Sequence, residues 1–158
     1  QIPIENLKKP LLECLDETFT KVHGIYLDKG TTLFDTIDSI TPEEASQPIS
    51  ANSATIAAQV EHLRFYLDVI NTYIREKEIG KVNWREIWET VGKVTPEEWE
   101  AIKARLRASH SEALSTINSF EDWDGEYEIS SALSILTHTA YHLGGIRVAL
   151  GAIRAQKG

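Results

Sequence analysis

The chain is poor in cysteine: Cys14 is the single one in 158 residues. It can form no internal disulfide, and a cysteine-based metal cluster is excluded. A solitary thiol fits a reducing compartment. Long apolar runs are also missing, since none approaches the ~20 residues that span a bilayer, and the first residues do not resemble a secretory signal. The chain opens on Gln1 rather than Met, which leads to the expectation that a short leader or tag has been trimmed. Basic residues are scarce. Sixteen Lys and Arg face 24 Asp and Glu, a formal net charge of −8, and they are spread among the acids rather than clustered. Neutralising phosphates needs clustered cations, so a nucleic-acid surface is not expected. No low-complexity tract, inter-domain linker or convincing strand pattern occurs. These absences lead to the expectation of a soluble cytoplasmic protein forming one domain over residues 1–158, away from membranes. The 42% hydrophobic and 25% charged residues are ordinary for such a domain.

What the chain does have is helical periodicity. Apolar residues at Leu11, Leu15, Phe19, Val22, Tyr26, Leu33, Phe34, Ile37 and Ile40 follow the spacing of one helix face, weakened locally by Gly24 and Gly30. A loop, "TPEEASQPISANS", follows. The second helix is expected to start near Ser53, with Asn52 and Ser53 as N-cap residues, and to end around "REKEIGK". Its stripe is Ile56, Val60, Leu63, Leu67, Ile70 and Ile74, flanked by Gln59, His62, Tyr66, Val69 and Tyr73. A short element, "VNWREIWETVGKV", carries Trp84 and Trp88. "TPEEW" then starts a third helix, with Thr95 and Glu98 as a capping box and Pro96 at the first helical position. "TPEE" at 41–44 reads as the same helix-start chemistry. "FEDWDGEYE" is the last connection, before a fourth helix over roughly 130 to 155. The pattern predicts an all-α four-helix bundle, with a long crossover between helices two and three that carries a short extra helix.

Two histidines, His138 and His142, stand within "THTAYHL" on the fourth helix. Its apolar stripe reads Ile135, His138, His142, Ile146, Ala149, Ile153, which predicts the pair at the centre of the buried face. Four positions along a helix separate side chains by ~6 Å in rise and ~40° in rotation. Two imidazoles can then reach one metal ion at ~2.1 Å each. Without partners, burying them would cost ~1–3 kcal/mol apiece. A third ligand is needed, and His62, on the flank of helix two, is the best candidate. His23 and His110 read as surface or satisfied core groups. Thr139 stands where a zincin has its Glu, so the metalloprotease base is absent. No Glu lies three residues before any histidine, which removes the di-iron bundle motif. A mononuclear site built of histidine alone remains.

Together "VEHLRFY" in the second helix, "HTAYHLGGIR" in the last, the crossover "VNWREIW" and "TPEEWEAIKARLR" resemble the DinB-like superfamily of metal-dependent four-helix bundles. That family includes bacillithiol and mycothiol S-transferases, a maleylpyruvate isomerase, metal-dependent hydrolases and stress-associated members. The resemblance implies metal ligands at His62, His138 and His142. It also implies a small-molecule substrate and a homodimer formed through outer helix faces. Many members read H-x-G-Q-I after the last histidine; here Gly145 replaces the Gln, removing a polar group one turn from the site.

Two classes of function follow. One is an enzyme that uses a divalent ion (Zn, Ni, Fe or Co) to transfer a low-molecular-weight thiol or to hydrolyse a substrate. The other is a protein that binds metal or a small ligand without turnover, which the absence of an obvious Asp or Glu base favours. Tyr66, one turn from His62, is the candidate catalytic hydrogen-bond donor, against the alternative of a bundle aromatic with its hydroxyl in water. Tyr141 reads as a packing residue. Gly144 and Gly145 read as close helix approach or room for a ligand. Trp84 and Trp88 either roof the site or clamp the crossover. Cys14 carries no catalytic role.

Overall fold

Threonine caps two of the long helices. The side chain of Thr55 accepts from Ala58 N, and that of Thr95 from Glu98 N. Each satisfies a backbone donor that the first turn leaves unpaired. At Thr41 and Thr95 the Glu three residues on returns the bond, completing capping boxes at both copies of "TPEE". The second helix therefore starts after Thr55 rather than near Ser53. Ser53 instead closes a small turn with Ser50.

A computed structural model describes residues 2–123, 125 and 127–158. Among the described residues every regular element is a helix: α1 Glu5–Phe19, α2 Leu33–Asp38, α3 Pro42–Ala45, α4 Ile56–Glu76, α5 Glu86–Thr90, α6 Pro96–Asn118 and α7 Glu128–Gln156. The connection read at "FEDWDGEYE" includes Asp124 and Glu126, which lie outside the described residues, as does Gln1. No helix among the described residues is long and apolar enough to cross a membrane.

Helix α4 is the central element, packing against both α6 and α7, while α1 packs against α7. Leu63 and Leu67 of α4 join Leu15 and Phe19 of α1, Trp99 and Leu106 of α6, and Ile135 and Leu143 of α7 in one buried cluster. The Trp99 indole N–H donates to Ile40 O at 2.9 Å, so this fully buried side chain has its polar atom satisfied. Arg154 near the end of α7 pairs with Glu44 of α3 at 3.0 Å and donates to Ser39 O at 2.8 Å. These contacts tie the α2–α3 segment to α7.

The periodicity from Leu11 to Ile40 does not form one helix. Helix α1 ends at Phe19, and residues 20–32 form a loop in which Gly24 and Gly30 take φ of 79° and 78°. Both lie in the left-handed region that glycine enters without steric cost. The stripe on α7 also differs from its reading. Its buried line runs through Ile135, Thr139, Leu143, Ile146, Leu150 and Ile153, and His138 and His142 are half-buried beside it. Because α7 packs on α1 as well as α4, its most buried arc points between the two. The histidines occupy the α4 side of that arc.

Candidate metal centre

His62 extends from α4, where burial makes it one of the few polar groups in the core. His138 and His142 face it from α7. The Nε2 atoms of His62 and His138 are 3.1 Å apart. The ring centroids of His62 lie 5.0 Å from His138 and 4.9 Å from His142, and the α7 pair are 4.6 Å from one another. One ligand atom from each residue falls within 4.8 Å of the other two. Two nitrogens each ~2.1 Å from one ion, at the angles of tetrahedral or octahedral coordination, sit roughly 3.0–3.4 Å apart. The His62–His138 separation meets that condition.

The protonation states agree with lone-pair donation. Burial lowers the pKa of His62. Burial, with the neighbouring His142 and His62, pushes His138 down to about 3. Burial and His62 push His142 to about 4. All three are neutral imidazoles near pH 7, as metal ligation requires. If Nε2 of His62 and His138 both point at an ion, their protons sit on Nδ1. Those two Nδ1 atoms are buried and have no hydrogen-bond partner among the described residues.

Aromatic rings surround the imidazoles. Tyr66 stacks on His138 at 3.6 Å between centroids and 17° between planes. Trp88 lies 4.5 Å from His62 and 6.2 Å from His142. Trp84 packs against Phe65 and Tyr66. Burial pushes the Tyr66 phenol up, partly offset by a hydrogen bond with the Ser134 side chain, so the hydroxyl keeps its proton near neutral pH. Tyr141, read as packing, is instead 77% exposed, with its ring set edgewise 5.2 Å from His142.

No carboxylate or thiol joins the three histidines among the described residues. Glu61, next to His62 in sequence, turns away to Arg64 at 2.6 Å and Arg105 at 3.3 Å. The remaining histidines lie elsewhere. His23 Nε2 is 2.5 Å from Asp16 Oδ2, and His110 is enclosed by Phe19 and Phe34 at 4.3 and 5.1 Å. Cys14 is a half-buried free thiol.

The sequence profile of the DinB superfamily matches residues 28–145, a span that contains all three histidines. The chain belongs to the DinB superfamily. No curated protein and no solved structure matches it. The three histidines of this DinB protein stand close enough together that they could hold a metal ion.

Sequence reasoning missed the partner of Gly145. A Cβ built at that position would lie 3.2 Å from Gln59 Oε1, whereas one at Gly144 would meet nothing within 4 Å. Gly144 is therefore not a close-approach glycine. Gly145 leaves room for the Gln59 carboxamide, one turn before His62, to lie against α7. The flank containing Gln59, His62 and Tyr66 was the available signal, but spacing within α4 says nothing about which residue of α7 each one meets.

Proposed function

We propose that this DinB protein is a metal-dependent enzyme that transfers a low-molecular-weight thiol to a small electrophile, or carries out a related hydrolysis. In this reading residues 1–158 form one domain, a cytoplasmic four-helix bundle of α1, α4, α6 and α7. Residues 77–95 cross between α4 and α6 and carry α5. The carrying observation is three neutral imidazoles within 4.8 Å with no carboxylate or thiol beside them among the described residues. His62, His138 and His142 would hold one Zn, Ni, Fe or Co ion, since affinity order and metal supply decide among these. Three protein ligands leave a coordination position for water or substrate, as in catalytic sites. Such an ion lowers the pKa of a coordinated thiol or water and so supplies a nucleophile near neutral pH. Tyr66, held flat against His138 and protonated, would donate a hydrogen bond to an anionic group held at the site. Trp84 and Trp88 restrict water at the mouth.

The second reading is a protein that holds metal or a small ligand without turnover. It is favoured by Glu61 facing Arg64 and Arg105 rather than the histidines, so that no carboxylate base joins them among the described residues. The test is a panel of glutathione, bacillithiol and mycothiol against a halogenated aromatic and an epoxide, with activated esters for hydrolysis. Metallated protein should show turnover that stripped protein lacks. Full metal occupancy with no turnover on any pair would support the binding protein.

The outer face of α7 supports a homodimer. Tyr141 and Val148, two turns apart, are 77% and 72% exposed, and burying them against a second copy would remove apolar surface from water. Light scattering at micromolar concentration should give twice the chain mass; a monomer would refute the dimer.

A further inference from the structure

We propose that Trp88 is a specificity-determining residue that selects thiols carrying a flat, unsaturated group next to the sulfur-bearing carbon. The inference rests on the thiol-transfer reading above. It starts from what surrounds the three imidazoles. Each has an aromatic ring against it: Tyr66 on His138, and Trp88 beside both His62 and His142. Among the described residues no carboxylate or thiol joins the three histidines, and Glu61, next to His62 in sequence, is engaged by Arg64 and Arg105. A ligand whose donor atom reaches the histidines therefore meets π faces beside them. Its body is recognised by ring contact, which favours planar groups, rather than by ion pairing.

Trp88 is the wall best placed to do this. Trp88 is 38% exposed, so it presents surface to a ligand while lying beside two of the three histidines. It is also held in position. Ile87 is buried beneath α5, and Val91 N donates to Ile87 O at 2.9 Å. The chain beyond is pinned where Thr55 Oγ1 donates to Gly92 O at 3.0 Å and Val94 N donates to Ser46 Oγ at 2.9 Å. On the other side, Trp84 leans on Phe65 and Tyr66 at 5.7 and 6.2 Å. The indole is thus anchored at both ends of its short helix.

The test uses cobalt-loaded protein and reads the visible absorption of the metal. Benzyl mercaptan and cyclohexylmethanethiol have the same number of carbons, but only the first is planar beyond the methylene. Because the benzylic thiol is also the more acidic, the ring contact is read from the change in their affinity ratio between native and variant protein. Trp88→Leu, which keeps an apolar side chain, should lower the preference for benzyl mercaptan about 10-fold relative to the native protein, the size of a favourable ring–ring contact, at unchanged cobalt content. Trp88→Phe should restore most of the preference, which a purely structural role would not do. An equal ratio in native protein and Trp88→Leu would overturn the inference while leaving the metal site standing. Cobalt binding with no spectral response to either thiol would overturn the thiol-transfer reading and this inference with it.

Discussion

Replacing His138 or His142 with alanine should empty the site of metal and lower any metal-dependent turnover by at least ~100-fold. The helical fold should remain intact. The reasoning is a count of donors. Three imidazoles converge within 4.8 Å, and each removal leaves two, too few to hold a divalent ion against water. Both α7 histidines are half-buried at the edge of the core, so truncation opens space toward solvent rather than a sealed cavity. His62→Ala should also lose the metal, with a larger loss of stability because His62 is buried on α4. Two controls separate ligation from histidine content. His23→Ala removes a partner of Asp16 and His110→Ala removes a ring from between Phe19 and Phe34, so both should keep one ion per chain. His110→Ala should nevertheless unfold at lower temperature. Elemental analysis of untagged protein, with circular dichroism for folding, reads all five variants. Metal loss in either control would mean that the ligands had been wrongly assigned.

The parts of this site legible in the sequence are those fixed by spacing within one helix. The spacing of four positions from His138 to His142 places two imidazoles on one side of α7 whatever the helix packs against. The flank position of His62 follows in the same way from the stripe of α4. Caps were legible too, because Thr95, Pro96 and Glu98 act within one turn. What periodicity could not give is the direction of each face in the assembled molecule. Periodicity centres the α7 stripe on the histidines, since it cannot count the helices that pack against it. With α1 and α4 both against it, the centre moves to Thr139 and Leu143. Gly145 is a similar case, since its meaning depends on Gln59 from another helix. The continuation of the first helix beyond Phe19 failed for a different reason. Apolar residues from Val22 to Leu33 keep a helix-like spacing, but a charged side chain captures the backbone that would have continued it.

That side chain is Glu17, and Glu17→Gln should lower the melting temperature at neutral pH on the order of 10 °C. The difference from the native protein should then shrink as the medium is acidified. Glu17 lies in the last turn of α1, fully buried. Its Oε1 accepts from the backbone N–H of His23, Gly24 and Ile25 at 2.6, 2.7 and 3.0 Å. Its Oε2 accepts from Tyr26 and Leu27 at 2.7 and 3.2 Å. Five consecutive donors that a helix would have directed to carbonyls are gathered by one carboxylate. Gly24, with φ 79°, lets the chain curl around it. Thr18 adds a hydroxyl contact to Tyr26. Burial alone would raise the Glu17 pKa, but the hydrogen bonds from Tyr26, Ile25, His23 and Leu27 outweigh it and hold the carboxyl at about 2. The unfolded chain returns it to the ordinary value near 4.5. A folded pKa below the unfolded one means stability that is fully present above pH ~4.5 and lost as the pH falls toward ~2. Glutamine has the same shape but turns an amide N–H₂ toward donors in place of one oxygen, and it cannot titrate. Its deficit against the native protein should therefore be constant from pH 7 to about 5 and narrow below that. Melting curves of both proteins across pH 7 to 2.5 measure this directly. Parallel curves, with an unchanged gap at the acid end, would show that the Glu17 charge does not hold the 23–27 loop.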